Sequence, residues 1–263
     1  SGRRISTIEG AAESVTFSPD GQFLAYGSRN WMINLLHLTD GKRYPPRSGH
    51  LDYVEGLAFS PDGKTLVSGS PDCTLKIWQV NDGYLSLQHT VGGGDPYIGH
   101  IDNVVYSSDG VWIAASDLGY VFFYNTHTRE LRNLEGFVNS VSFSPDGRYF
   151  AITLSAPGSF GNDFLLRVYE LSTMNVVKEW PVSSGRRVVY SPDGKLFAVG
   201  TKEGTIQLID TNSGKVLLTL FGAALPKADG SFPVVTSLQF SPDGRFLASN
   251  NNGVIRVWGI PKN

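Results

Sequence analysis

The chain has 263 residues, 41% of them apolar and 17% charged, with a net charge of −2. A chain of that length can bury roughly 75% of its unfolded surface, and a pI near 6.2 gives no field that would draw a phosphate backbone or an anionic membrane, which excludes nucleic acid and membrane as expected partners. Thirty glycines and 14 prolines, with no long Ala/Leu/Glu stretch, point to many short strands joined by tight turns.

The single cysteine, Cys73, cannot form an internal disulfide, which fits a reducing compartment and favours the cytoplasm. No run of about 18 apolar residues occurs, and Ser1-Gly2-Arg3-Arg4 lacks the apolar segment of a signal peptide. The chain starts without methionine and holds only Met32 and Met174. It is therefore read as one soluble, monomeric domain spanning residues 1–263, excised from a longer polypeptide.

In chain order, residues 4–10 read as a strand leading into a loop, much as residues 132–136 do later. The first Ser-Pro-Asp-Gly follows at Ser18, and the tetrapeptide recurs at Ser60, Ser144, Ser191 and Ser241, with the variant Ser-Ser-Asp-Gly at Ser107. Successive aspartates are 42, 47, 37, 47 and 50 residues apart, bracketing the ~40–45 residues of one propeller blade. Each copy has the chemistry of a hairpin turn: Pro presets φ, Asp bonds nearby backbone, and Gly takes the positive φ.

An apolar triplet precedes each turn, from Val15-Thr16-Phe17 in the first copy to Leu238-Gln239-Phe240 in the last, and another follows it, from Phe23-Leu24-Ala25 to Phe246-Leu247-Ala248. These are strands a and b. A third strand c is predicted at residues 33–36, 75–78, 121–124, 165–169, 206–209 and 254–258, apolar enough to lie between packed sheets. A more polar strand d should form the outer rim. Six turns give six blades, and the chain ends just after strand c of the last, so residues 4–10 are expected to supply its fourth strand and remove an open edge. A seventh blade would have to come from flanking sequence.

Residues 49–78, GHLDYVEGLAFSPDGKTLVSGSPDCTLKIW, resemble a nearly complete WD repeat, opened by Gly49-His50 and closed by Trp78. The other copies are degenerate: Gly99-His100 keeps the opening pair, while Gly10-Ala11, Gly136-Phe137 and Gly185-Arg186 do not. The resemblance implies a WD-repeat β-propeller, all-β, with six four-stranded antiparallel blades closed by the N-terminal strand. It also implies a structural hydrogen-bond chain through His50, Ser68, Asp72 and Trp78. Blade 3 has Leu118 in place of the aspartate, so its His100 loop should be held less firmly.

Ser, His and Asp together would suit a hydrolase, but no nucleophile elbow or oxyanion motif accompanies them. His37, His50, His89, His100 and His127 are scattered without zinc spacing, so no metal and no cofactor is expected. Gly92-Gly93-Gly94 opens no helix and reads as a loop. Arg186-Arg187 lacks the apolar insertion loop that a lipid headgroup site needs. The competing enzyme reading, a propeller hydrolase or lactonase with a metal in the channel, would draw on Glu55, Asn103 and Asn139 of the innermost strands.

The resemblance places partner binding on the face carrying the da and bc loops. Interfaces favour aromatic and arginine anchors, and the loops offer Arg29 and Trp31 in blade 1, Asp52 and Tyr53 in blade 2, and Tyr97, Asp102 and Asn103 in blade 3. Phe160 lies in an enlarged loop of blade 4, Arg186 and Lys202 in blade 5, and Phe232 and Asn251 in blade 6. The function expected is a non-catalytic scaffold or sensor module for a protein or peptide partner.

Overall fold

The computed structural model describes residues 12–28, 30–93, 99–116, 119–156, 163–221, 234–251 and 254–260. The Ser-x-Asp-Gly turns set the local frame. In the second copy the Ser60 hydroxyl donates to Asp62 Oδ1 (2.7 Å), that oxygen accepts Lys64 N–H (3.0 Å), Ser60 Oγ accepts Thr65 N–H (2.9 Å), and Gly63 N–H closes on Ser60 O (2.9 Å). The same four bonds recur in all six copies, and each glycine has φ between +68° and +73°. Tetrapeptide chemistry alone thus joins two antiparallel strands six times.

The strands fall into six antiparallel sheets, and the fold is the six-bladed β-propeller that the repeat predicts. Blade 1 holds β1 (Ala12–Phe17), β2 (Phe23–Ser28), β3 (Met32–His37) and a two-residue β4 (Arg47–Ser48). Blade 2 holds β5 (Gly56–Phe59), β6 (Thr65–Ser70), β7 (Thr74–Asn81) and β8 (Tyr84–Gly92). Blade 3 holds β9 (Asn103–Tyr106), β10 (Trp112–Ser116), β11 (Tyr120–Asn125) and β12 (Leu131–Glu135). Blade 4 holds β13 (Val138–Phe143), β14 (Tyr149–Ser155), β15 (Phe164–Glu170) and β16 (Asn175–Val182). Blade 5 holds β17 (Arg187–Tyr190), β18 (Leu196–Gly200), β19 (Thr205–Asp210) and β20 (Val216–Phe221). Blade 6 has three described strands, β21 (Val235–Phe240), β22 (Phe246–Asn251) and β23 (Val254–Gly259). The segment expected to add its fourth strand, residues 4–10, lies outside the described residues, and no helix occurs among those described.

Register follows the repeat as well. Strand c carries the same one-residue bulge against strand d in blades 2, 4 and 5, at Ile77/Trp78, Val168/Tyr169 and Leu208/Ile209. Because strands alternate, ab and cd turns share one end of each sheet, and bc and da loops share the other.

Two compact units divide the chain, residues 1–104 and 105–263. In the first, Ala25, Ile33 and Leu35 of blade 1 pack against Val54, Leu57, Leu66 and Trp78 of blade 2. In the second, Phe123, Phe143 and Phe150 form an aromatic knot between blades 3 and 4, with Tyr169 stacked on Phe150 at 5.0 Å. Ala151, Leu166, Val188 and Phe197 then join blades 4 and 5, and Ala198, Leu208, Leu238 and Phe240 join blades 5 and 6. Strands b and c of blades 2 to 5 are mostly apolar and buried on both faces for this reason, each being covered twice, whereas Val254, Ile255 and Val257 of strand c in blade 6 are exposed. Strand d departs from expectation in blade 5, where Val216, Leu217 and Leu218 are all exposed instead of polar.

Candidate functional site

In the first unit, four side chains predicted to form a chain do so. Trp78 Nε1–H donates to Ser68 Oγ (2.8 Å), the Ser68 hydroxyl lies 2.7 Å from His50 Nε2, and His50 Nδ1 lies 3.0 Å from Asp72 Oδ2. Burial pushes the His50 imidazole below its ordinary value against the pull of Asp72, so the ring is neutral at pH 7. A neutral ring fixes the direction of every bond. Nδ1–H donates to Asp72 and Nε2 accepts from Ser68.

Burial raises the Asp72 carboxyl, but the Thr74 hydroxyl (2.6 Å), Leu51 N–H (2.8 Å) and His50 outweigh it, and the group is held below the usual carboxylate range. The connectivity Ser68–His50–Asp72 is that of a hydrolase triad. Ser68 is nevertheless fully buried, and its oxygen already accepts the Trp78 indole. No substrate can reach it, and the three residues instead pin the loop after His50 to its blade.

That loop presents the candidate surface of the first unit. Leu51 is 80% exposed and Tyr53 40%, and Asp52 caps the Tyr53 N–H at 2.8 Å. Blade 1 abuts it through Ser14 Oγ–H donating to Val54 O (2.8 Å). At the same end of blade 1, Trp31 is 47% exposed in the left-handed region (φ +67°), a conformation that costs an indole-bearing residue and is held by its N–H on Ser28 O (3.0 Å). Met32 N–H on Asn30 Oδ1 (3.3 Å) shapes the same turn. Arg29 lies outside the described residues.

Further along, His100 does not repeat the chain seen at His50. Its Nε2 lies 2.7 Å from Glu55 Oε2 at the surface, while Leu118 and Tyr97 lie outside the described residues. Glu55, the acidic residue that an enzyme reading needs, is thus engaged by His100. Asp102 and Asn103 are half-buried.

In the second unit, Phe160 and Phe232 lie outside the described residues. Arg186 is exposed, with its N–H on Gly200 O (2.9 Å). Lys202 is exposed too, its N–H on Ser184 Oγ (2.9 Å) and its ammonium 5.7 Å from the Phe164 ring. Asn251 is buried and donates to Gly204 O (3.1 Å), so it clasps two loops instead of offering a surface. Arg187 spends its guanidinium on Thr236 O (2.8 Å) and Asn139 O (3.3 Å), the inner strands on either side.

Two exposed side chains escaped the sequence reading: Leu51 and, at 71% exposure, Phe137. A signal existed for both. Leu51 directly follows the locked histidine, and Phe137 stands where that histidine would be and cannot make its bonds.

Two family models match: the WD domain, G-beta repeat, over residues 43–79, 128–170 and 224–259, and the anaphase-promoting complex subunit 4 WD40 domain over residues 166–227. Among curated proteins, the chain is similar to the small ribosomal subunit protein RACK1 of Caenorhabditis elegans, 31% identical over 126 residues, which is 47% of this chain and 34% of that protein. It is also similar to the guanine nucleotide-binding protein subunit beta of Nicotiana tabacum, 39% identical over 72 residues, covering 27% of this chain and 18% of that protein. The matched stretch therefore spans about a third of the first relative and under a fifth of the second.

Proposed function

Because the chain belongs to the WD-repeat family of β-propellers, we propose that it is a non-catalytic module that recognises a protein or peptide through the loop end of its blades. The observation that carries this reading is the pairing of exposed apolar side chains with a rigid base. Leu51 and Tyr53 project from a loop tied down by the buried His50–Asp72–Ser68–Trp78 chain, and Trp31 projects from a turn of fixed backbone. Such anchors lose little conformational freedom on binding. The two relatives and the second family model support it, since each carries the name of a component of a larger assembly.

Capture of partners from a cell extract by the intact chain, repeated with Trp31→Ala and Tyr53→Ala, tests the surface. Each variant should recover the specific partner at least about tenfold less well, the loss of one interface anchor. Undiminished recovery by both would remove this surface, and a stoichiometric, tightly held divalent metal in elemental analysis would overturn the non-catalytic reading.

A further inference from the structure

At the turn end of the second unit, a cleft of about 440 Å³ opens between blades 4 and 5. At two other junctions the chain fills this position itself. Between blades 1 and 2, Tyr44, whose N–H bonds Leu35 O (3.0 Å), lays its ring against Tyr84 at 5.5 Å and so close to Gly83 that a Cβ there would lie 2.2 Å from it. Between blades 3 and 4, Arg132 of β12 sits 4.7 Å from the Trp112 ring centre and donates to Leu171 O (3.0 Å) and Ser172 O (3.4 Å). Both occupants are flat.

Lys178 of β16 is the counterpart of Arg132: Arg132 pairs with Phe123, one before Tyr124, and Lys178 pairs with Val168, one before Tyr169. Its ammonium reaches the equivalent turn, Thr211 O (2.8 Å) and Asn212 Oδ1 (3.3 Å). A lysine can cap those carbonyls, but it has no plane with which to fill the space. The cleft remains, walled by Tyr149, Val177 and Tyr190.

Charge selects the occupant. Asp146 and Asp193 line the cleft, and in each Oδ1 is committed to its turn. In blades 2 and 6 the other carboxylate oxygen pairs with a basic residue two positions on, Asp62 with Lys64 and Asp243 with Arg245, both at 3.9 Å. Asp146 and Asp193 make no ion pair within 4 Å among the described residues; Arg148 and Lys195, two positions on, act on them only as neighbouring charges that help hold the two carboxyls low. Arg148 also lies 5.5 Å from the Tyr149 ring centre, and Lys178 is spent on carbonyl and amide oxygens. Two carboxylate oxygens beside aromatic walls match a planar cation with several donors.

We propose that the cleft between blades 4 and 5 binds the guanidinium of an arginine in an extended partner peptide, supplying in trans the flat side chain that Tyr44 and Arg132 supply in cis. The site lies at the ab and cd turn end of blades 4 and 5, uses none of the loop residues of the proposed partner surface, and stands independently of them.

The test is a titration of the full chain, labelled at tyrosine for NMR, with the peptide acetyl-Gly-Arg-Gly-amide. Saturable shifts are expected at Tyr149 and Tyr190. Citrulline in place of arginine, which keeps the shape and removes the charge, should weaken binding at least about tenfold. Asp193→Asn, which keeps the Oδ1 acceptor of the turn, should weaken it as well, and Val177→Trp, a substitution on an exposed rim position, should abolish it. Trp31→Ala should leave the shifts unchanged, so this site and the loop surface can fail separately. Shifts that do not saturate, equal binding of the citrulline peptide, or unaltered binding by Val177→Trp would overturn the proposal.

Discussion

Asp72 is the most heavily used side chain of the described site, because its two oxygens serve His50, the Leu51 and Thr74 N–H groups and the Thr74 hydroxyl. Asp72→Ala leaves those donors unsatisfied, and we expect a loss of about 2–3 kcal/mol, read as a lower urea midpoint at unchanged m-value. Thr74→Val keeps the side-chain shape and removes only the hydroxyl that donates to Asp72, so it should cost about 1 kcal/mol. Reversal of that order would mean that the chain is not organised around the carboxylate. His50, Ser68, Asp72 and Trp78 were legible because blade 2 keeps the family pattern intact. His100 was not, since its partner is Glu55, a residue 45 positions earlier that no local pattern connects to it.

Among the elements, the ab hairpins were the most legible, since every bond in the turn joins residues at most five apart. The cd turns were less so, because what shapes them arrives from the preceding blade. Gly194 and Gly214 show the difference. Both have φ near +70°, but a Cβ on Gly194 meets only Pro145 at 3.6 Å, whereas one on Gly214 would lie 2.1 Å from the Trp180 indole. Gly194→Ala should cost about 1–2 kcal/mol, the penalty of a left-handed alanine. Gly214→Ala adds displacement of a ring and should cost at least about 1 kcal/mol more by chemical denaturation. Equal costs would show that Trp180 moves freely. Strand β20 breaks the polar-rim rule for a reason local sequence hides: Val216, Leu217 and Leu218 sit on an exposed edge without a charge or proline to blunt it. Leu217→Lys should therefore lower concentration-dependent association in light scattering and leave the melting temperature unchanged.

For the whole molecule, the number of blades was legible because one turn type marks each sheet, while the placement of Asn251 and the cleft at Lys178 depend on contacts between sheets. Contacts of the same turn type also set the response of the whole molecule to acid. Asp20, Asp62, Asp146, Asp193 and Asp243 are each held below the ordinary carboxyl value of 3.8, first by the serine hydroxyl of the turn, then by backbone N–H against a partial opposing effect of burial. Asp40 and Asp210 are lowered by bonds within their cd turns, and Asp72 by the loop it anchors. His50 is lowered from 6.5 by burial. In every case the unfolded chain binds protons more readily than the folded one, so stability rises with pH across the interval between the two values. The histidine contribution is complete above pH 6.5 and falls as the pH drops below it; the aspartate contributions are complete above 3.8 and fall below it. Urea midpoints measured from pH 7.5 downwards should therefore decline in two stages, a shallow one beginning near pH 6.5 that is missing in His50→Gln, and a steep one below pH 4 that persists in that variant. The second stage should be the larger because it sums turns from five blades, and a midpoint that rose on acidification would reverse the assigned direction of these shifts.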